Sequence, residues 1–167
     1  KSRGIQIVEG EGKLTGPKTV TVNGADTYTG TNVVLATGSY SRTLPGLDID
    51  GERVITSEHA LTLDHVPASA IVLGGGVIGV EFASAWTSFG SQVTVVEALP
   101  HLVPLEDEAS SKLVERAFRR RKIAHKLGVR FEKVEHTDTG VRVSLEGGEI
   151  LEAEVLLVAV GRGPVSQ

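Results

Sequence analysis

The segment AIVLGGGVIGVEFASAWTSFGSQVTVVEAL, from Ala70 to Leu99, constrains the fold more than any other part of this chain. An apolar run ends in Gly74, Gly75 and Gly76, a helix-like pattern opens at Val77, and a second apolar run from Gln92 ends on the carboxylate Glu97. Strand, glycine turn, helix and strand in that order make a βαβ unit, in which a dinucleotide lies across the turn. Each glycine of the G-x-G-x-x-G pattern answers a separate demand. Gly74 permits the tight turn out of the strand, Gly76 lets a pyrophosphate approach the backbone, and Gly79 lets the helix pack closely on the sheet. The free N–H groups at the helix start, around Val77 and Ile78 and before Val80, face the phosphates. Glu97, about twenty residues beyond the first glycine, is placed to accept the adenosine-ribose hydroxyls. Ala98-Leu99-Pro100 offers no arginine for a 2′-phosphate, so the expected cofactor is NAD and not NADP. The pattern alone is weak in a chain with 20 glycines among 167 residues, and its strand–helix–strand context gives it weight. Glu81 has two readings: a first-turn carboxylate favoured by the helix dipole, or a group turned toward the far end of the cofactor, away from the phosphates.

From Ala70 onward the pattern alternates strand and helix. Strands are expected over Ala70–Leu73 and Gln92–Glu97, and helices over Val77–Phe89 and Glu106 to about Lys126. The second helix places Ala109, Leu113, Ala117 and Phe118 at core-facing spacing. GVRFEKVE is a third strand, Gly147-Gly148 turns a hairpin, and Val155–Val160 is a last apolar strand. The expected class is α/β: a Rossmann-like parallel sheet covered on both faces, with flanking helices and a β-hairpin or meander, from about Asp50 to Gly161. The first segments, GIQIVEGEGKL, KTVTVNG and DTYTGTNVVLATGS, are β-rich. Asn23-Gly24 supplies a hairpin turn, Val33–Ala36 is a short apolar strand ending at Thr37-Gly38, and TLPGLDIDGE is a crossing segment.

Composition excludes several classes. Apolar residues make up 40% and charged residues 23%, as in a soluble globular protein. The net charge of −4 lacks the basic footprint of a nucleic-acid binder, and RRRK at Arg119–Lys122 reads as a solvated helix end. AIVLGGGVIGV is too short and glycine-rich to span a bilayer. No signal-like start opens the sequence, so a cytoplasmic location with no membrane partner is expected. There is no cysteine, hence no thiol or disulfide chemistry within these residues. His59, His65, His125 and His136 show no metal-ligand grouping, and no metal is expected.

Two strand ends look alike, VVLATGS and LLVAVGR. The second closes the unit opened at Ala70, whereas the first has no glycine loop upstream. That asymmetry, with a start on Lys1, implies a first domain that begins before this chain. Over essentially its whole length the sequence resembles the pyridine-nucleotide disulfide oxidoreductases, and among them the dihydrolipoamide dehydrogenases. The segments that carry the resemblance are VEGEGKLTGPKTV, VVLATGSYSRTLPG, VITSEHAL, VLGGGVIGVEFASAW, GSQVTVVEALPHLVPLEDEAS and LLVAVGRGP.

The resemblance implies an FAD domain interrupted by an NAD domain. Residues 1–49 would be a strip of the FAD domain, 50–161 the NAD domain, and 162–167 the start of the return. It further implies that Thr37, Gly38 and Ser39 contact FAD, with Gly12 near its adenosine. Gly74 through Glu81 would hold NAD, joined by Glu97, by Val134 after the third strand, and by Gly161; Glu81 would approach the nicotinamide–flavin junction. Without the resemblance, Val134 reads as core and Gly161 as a turn. The parent would be a homodimer, joined through a domain beyond this chain. It would oxidise dihydrolipoamide on a lipoyl carrier protein and pass electrons through FAD to NAD.

The family's C-x-x-x-x-C pair, its first glycine loop and its histidine base are absent here, so no residue is assigned a catalytic role and the chain alone is expected to be inactive. His101 and Glu106 match the spacing of the histidine motif but lack its following proline and sit beside the adenosine end. Rival readings are an NADH oxidase or ferredoxin-type reductase of the same architecture, or a non-catalytic dinucleotide-binding module.

Overall fold

The computed structural model describes residues 3–166, in two compact units, one ending at Gly38 and one beginning at Ser39. The first unit is an antiparallel meander of β1 (Gly12–Gly16), β2 (Thr19–Val22) and β3 (Asp26–Thr29). Its second turn is the expected one. Asn23 and Gly24 have φ of 51° and 70°, and the Ala25 N–H donates to the Val22 carbonyl at 3.1 Å. The expected strand Val33–Ala36 does not form, and Val34 and Leu35 are 86% and 66% exposed. Ile5 to Val8 is likewise irregular. No strand among the described residues pairs with either segment, and an apolar run without a ladder partner has no reason to be a strand.

The second unit runs β4 (Ser39–Ser41), β5 (Val54–Ile55), α1 (Ser57–Ala60), β6 (Ser69–Leu73), α2 (Val77–Ser88), β7 (Gln92–Glu97), α3 (Glu108–Arg120), β8 (Ala124–Leu127), β9 (Phe131–His136), β10 (Val141–Leu145), β11 (Ile150–Ala153), β12 (Val155–Val158) and β13 (Arg162–Pro164). Strands β5-β12-β6-β7-β8 form one parallel sheet. Its strands β5, β12 and β6 are nearly continuous apolar runs, as burial of both faces demands. Alternation then divides them. Val72, Val95 and Leu157 face Ala83, Trp86 and Phe118 of the helices, while Ile71, Leu73, Val96 and Leu156 face Val141, Val143 and Leu145. One face is thus covered by helices and the other by the antiparallel sheet β11-β10-β9. Leu44, Leu47 and Ile49 pack into this second core, so the stretch after Ser39 is compact with the unit that follows it.

The structure departs from several sequence expectations. The second helix stops at Arg120, and Lys122 adopts φ 59°, a reversal that sends the chain into β8. That strand, hidden in KIAHKL, is the third parallel strand beside β7. GVRFEKVE supplies β9, which pairs antiparallel with β10 in the covering sheet. The last strand ends at Val158, two residues early. The buried face of α3 carries Ser111, Glu115 and Phe118, while Leu113 is 62% exposed.

The ends of the unit meet. Strands β4 and β13 pair antiparallel, Ser39 opposite Pro164 and Ser41 opposite Arg162. Arg162 binds the pair together: Nε donates to Ser39 Oγ at 2.7 Å, Nη2 to the Ser39 carbonyl at 2.7 Å, and Nη1 to Ser41 Oγ at 3.0 Å and Glu58 Oε1 at 2.5 Å. Glu58 also accepts from Ser41 and Thr56. The Ser41 hydroxyl and the Arg162 guanidinium hold its carboxyl down at about 2.

Candidate dinucleotide site

At the carboxyl ends of β6, β7 and β12 lies a cleft of about 710 Å³. This is where an open α/β sheet binds its ligand, outside the strand ends. Its floor is the glycine turn. The Gly74 N–H donates to the Val96 carbonyl at 2.8 Å, which anchors the turn to β7. Gly74 has φ 110°, and a Cβ there would overlap the Ala159 carbonyl. A Cβ at Gly79 would overlap the Gly74 carbonyl oxygen, so α2 packs on the turn at a distance only glycine allows. A Cβ at Gly75 would press on Leu102 and Glu97.

Gly76 differs from all three. It lines the cleft, a Cβ built on it meets nothing within 4 Å, and its φ of −71° and ψ of −175° suit any residue. No steric demand of the fold requires glycine here; the unfilled space above it fits a group brought against the backbone. Gly76 is also the N-cap of α2 and provides no side-chain acceptor, so the amides of the first turn, with Val77 and Ile78 at the cleft wall, meet no capping group. This arrangement fits a diphosphate.

Glu97 ends β7 half-buried at the cleft, with its carboxylate turned toward the glycine turn. Oε2 accepts the Gly75 N–H at 2.7 Å and Oε1 the Leu99 N–H at 2.8 Å. Each oxygen keeps a lone pair, so the group is held in place with acceptor capacity left for sugar hydroxyls.

The remaining sequence-assigned residues fall in different places. Gly161, φ 112°, lines the cleft after β12. Glu81 is exposed on α2, the fifth residue of the helix and not in its first turn, so the dipole account of it fails. Neither Glu81 nor Val80 lines the cleft. Val134 sits in β9 opposite Val143, among the partly buried side chains of the second core. In its place Val129 to Glu132 form a wall. Gly12 is exposed in β1, opposite Val22, and Thr37 and Gly38 are exposed at the end of the first unit. Ser39 is bound by Arg162 in the ribbon. Three stretches the sequence did not mark complete the cleft: Leu44-Pro45, Val103–Glu106 and Val129–Glu132, where Arg130 is the one cation among the described lining residues. Val103 takes φ 44°, unusual for a β-branched residue, and its N–H donates to the Gly75 carbonyl at 2.7 Å. His101 lies 3.4 Å from Glu115 and is not paired with Glu106.

The family model for pyridine nucleotide-disulphide oxidoreductases matches residues 1–167, and the chain belongs to that family. The family uses FAD and NAD. Among its curated relatives, a dihydrolipoamide dehydrogenase of Chaetomium thermophilum is 42% identical over the whole of this chain and 35% of its own length. A dihydrolipoyl dehydrogenase of Chlorobaculum parvum is 40% identical, over 96% of this chain and 36% of its own. Among solved structures, LpdA from Mycobacterium tuberculosis superposes with a TM-score of 0.79 at 32% identity, covering 98% of this chain and 38% of its own. The HOCl-induced flavoprotein disulfide reductase RclA from Escherichia coli gives 0.77 at 30%, covering 97% and 37%. The chain spans little more than a third of the length of these relatives.

Proposed function

We propose that residues 50–161 are the NAD-binding part of a flavoprotein that oxidises dihydrolipoamide to lipoamide. In that protein FAD is the intermediate carrier and NAD⁺ the hydride acceptor, and residues 1–49 are a strip of the FAD domain. The observation that carries the reading is the open face of Gly76 beneath an uncapped helix, with Glu97 fixed on the neighbouring amide. The 35% and 36% coverage of the two dehydrogenase relatives supports a part of that kind.

NAD⁺ supplies the two-electron acceptor; the chain's own residues bind and orient it. The amides after Gly76 take the diphosphate, Glu97 takes the adenosine ribose, and the apolar walls of Leu99, Val103 and Phe131 exclude water. Gly161 lets backbone approach the cofactor at the end of β12. Glu81 is exposed on α2 outside the cleft wall, so its assignment to the nicotinamide side rests on the family resemblance. The substrate dithiol has no partner in a chain without cysteine, so these residues contribute the nucleotide end of the reaction and not its sulfur chemistry.

Titration of the purified chain with NADH and NADPH, read by nucleotide fluorescence, tests this. Saturable NADH binding with weaker NADPH binding is expected, because a 2′-phosphate would meet the Glu97 carboxylate. A folded chain that binds neither nucleotide refutes the reading.

A further inference from the structure

Helix α3 buries a polar pair and exposes a leucine. Ser111 and Glu115, one turn apart, are 2% and 9% exposed, while Leu113 is 62% exposed. A carboxylate removed from water is destabilising unless donors reach its oxygens. Here they come from one loop and one cation. Glu115 Oε1 accepts the Leu102 N–H at 3.3 Å and lies 3.4 Å from His101 Nδ1, and Oε2 lies 3.7 Å from Arg119 Nη1. Ser111 donates its hydroxyl to the Val103 carbonyl at 3.3 Å. Two side chains of α3 therefore grip the Leu102–Val103 segment by its backbone.

The same segment grips the glycine turn. Val103 donates its N–H to the Gly75 carbonyl, and the fully buried Leu102 side chain fills the space beside Gly75. Beyond it, Val103 to Glu106 form a wall of the cleft, which neither Ser111 nor Glu115 lines. We infer that Glu115, supported by Ser111, is a positioning residue for nucleotide binding, acting through Leu102–Val103 on the glycine turn. The inference rests on the NAD reading of the cleft. It accounts for the rotation of α3: the helix turns a polar pair inward because the loop backbone needs partners there.

The test compares the full chain with Glu115→Leu, Glu115→Gln, Ser111→Ala and, as a control on the same helix, Leu113→Ala. Two quantities are read: the NADH dissociation constant, and hydrogen–deuterium exchange of peptides covering 74–79 and 99–106. Loss of one hydrogen bond to a charged group should raise the dissociation constant about tenfold in Glu115→Leu. Exchange should quicken in both peptides.

Glu115→Gln keeps an oxygen for the Leu102 N–H and should recover most of the affinity, and Leu113→Ala should change neither readout. Unchanged affinity in Glu115→Leu, or faster exchange that stops short of the glycine turn, overturns the inference. Should Glu115→Leu fail to fold, Ser111→Ala carries the test, with weaker NADH binding and faster exchange at Val103 expected; no change in either overturns the inference. A wild-type chain that ignores NADH, with exchange in the two peptides still coupled, overturns the nucleotide reading instead and leaves the link from Glu115 to the turn standing.

Discussion

Replacing Gly76 and Gly79 separately by alanine divides the needs of the fold from those of the ligand. At Gly76 the added methyl meets no atom within 4 Å, and the backbone already has angles alanine adopts. The cost to folding is the difference between glycine and alanine at an N-cap, about 1 kcal/mol or less. At Gly79 the methyl overlaps the Gly74 carbonyl oxygen and lies 3.2 Å from Val72 Cγ1. Backbone on one side and a fully buried valine on the other cannot swing aside, so α2 must shift on the sheet. Overpacking of this kind costs about 1–3 kcal/mol or more, which lowers the melting temperature by roughly 2–4 °C per kcal/mol in a unit of this size.

The binding effects run the other way. The Gly76 methyl stands where a pyrophosphate would meet the backbone, and should weaken NADH at least tenfold, about 1.4 kcal/mol. Circular dichroism melts and NADH titrations of both variants form the assay. A well-folded Gly76→Ala chain that binds NADH as tightly as wild type would refute the assignment of that space to the diphosphate.

Three further outcomes are expected. Both long helices close with the same pattern of reversed hydrogen bonds, Ser91 to Trp86 and Ile123 to Phe118, but Gly90 holds the left-handed position in one and Lys122 in the other. Lys122→Gly should therefore stabilise the chain by about 0.5–1 kcal/mol in denaturant melts, and a loss would count against the strain. Asp107 caps α3 by accepting the Ser110 N–H at 3.0 Å, so Asp107→Ala should cost about 1 kcal/mol in the same measurement. Glu58, held near 2 from an ordinary 4.5, contributes stability that is present above pH 4.5 and lost as pH falls toward 2. Glu58→Gln should be less stable than wild type at pH 7, with the gap closing on acidification; a constant gap would show that charge is not the cause.

The βαβ unit at Ala70–Glu97 was legible because periodicity and punctuation agree there: apolar runs of strand length, glycines at the turn, and a helix closed at Phe89-Gly90. The β8 strand was not, because Lys122 performs a turn that glycine usually marks, and the helical pattern runs on through it into KIAHKL. The buried face of α3 is hidden from the sequence for another reason. Apolar spacing points to Leu113, but the loop backbone at Leu102 and Val103 requires polar partners, and that requirement is written in the fold and not in the helix. In the candidate site, Gly74 and Gly79 are legible because backbone occupies the place of a side chain there, and Glu97 because it closes the apolar strand that follows the turn. Leu44, Val103 and Phe131 enter the cleft through tertiary placement alone, and Val134, two residues beyond the cleft-lining Glu132, packs against the core.

The ribbon of β4 and β13 holds the two ends of the second unit side by side. With Ser39 opposite Pro164, the two chain crossings lie about 5 Å apart, as partners in an antiparallel pair do. Ends this close would let a longer chain take in or give up such a unit for little more than one tight turn.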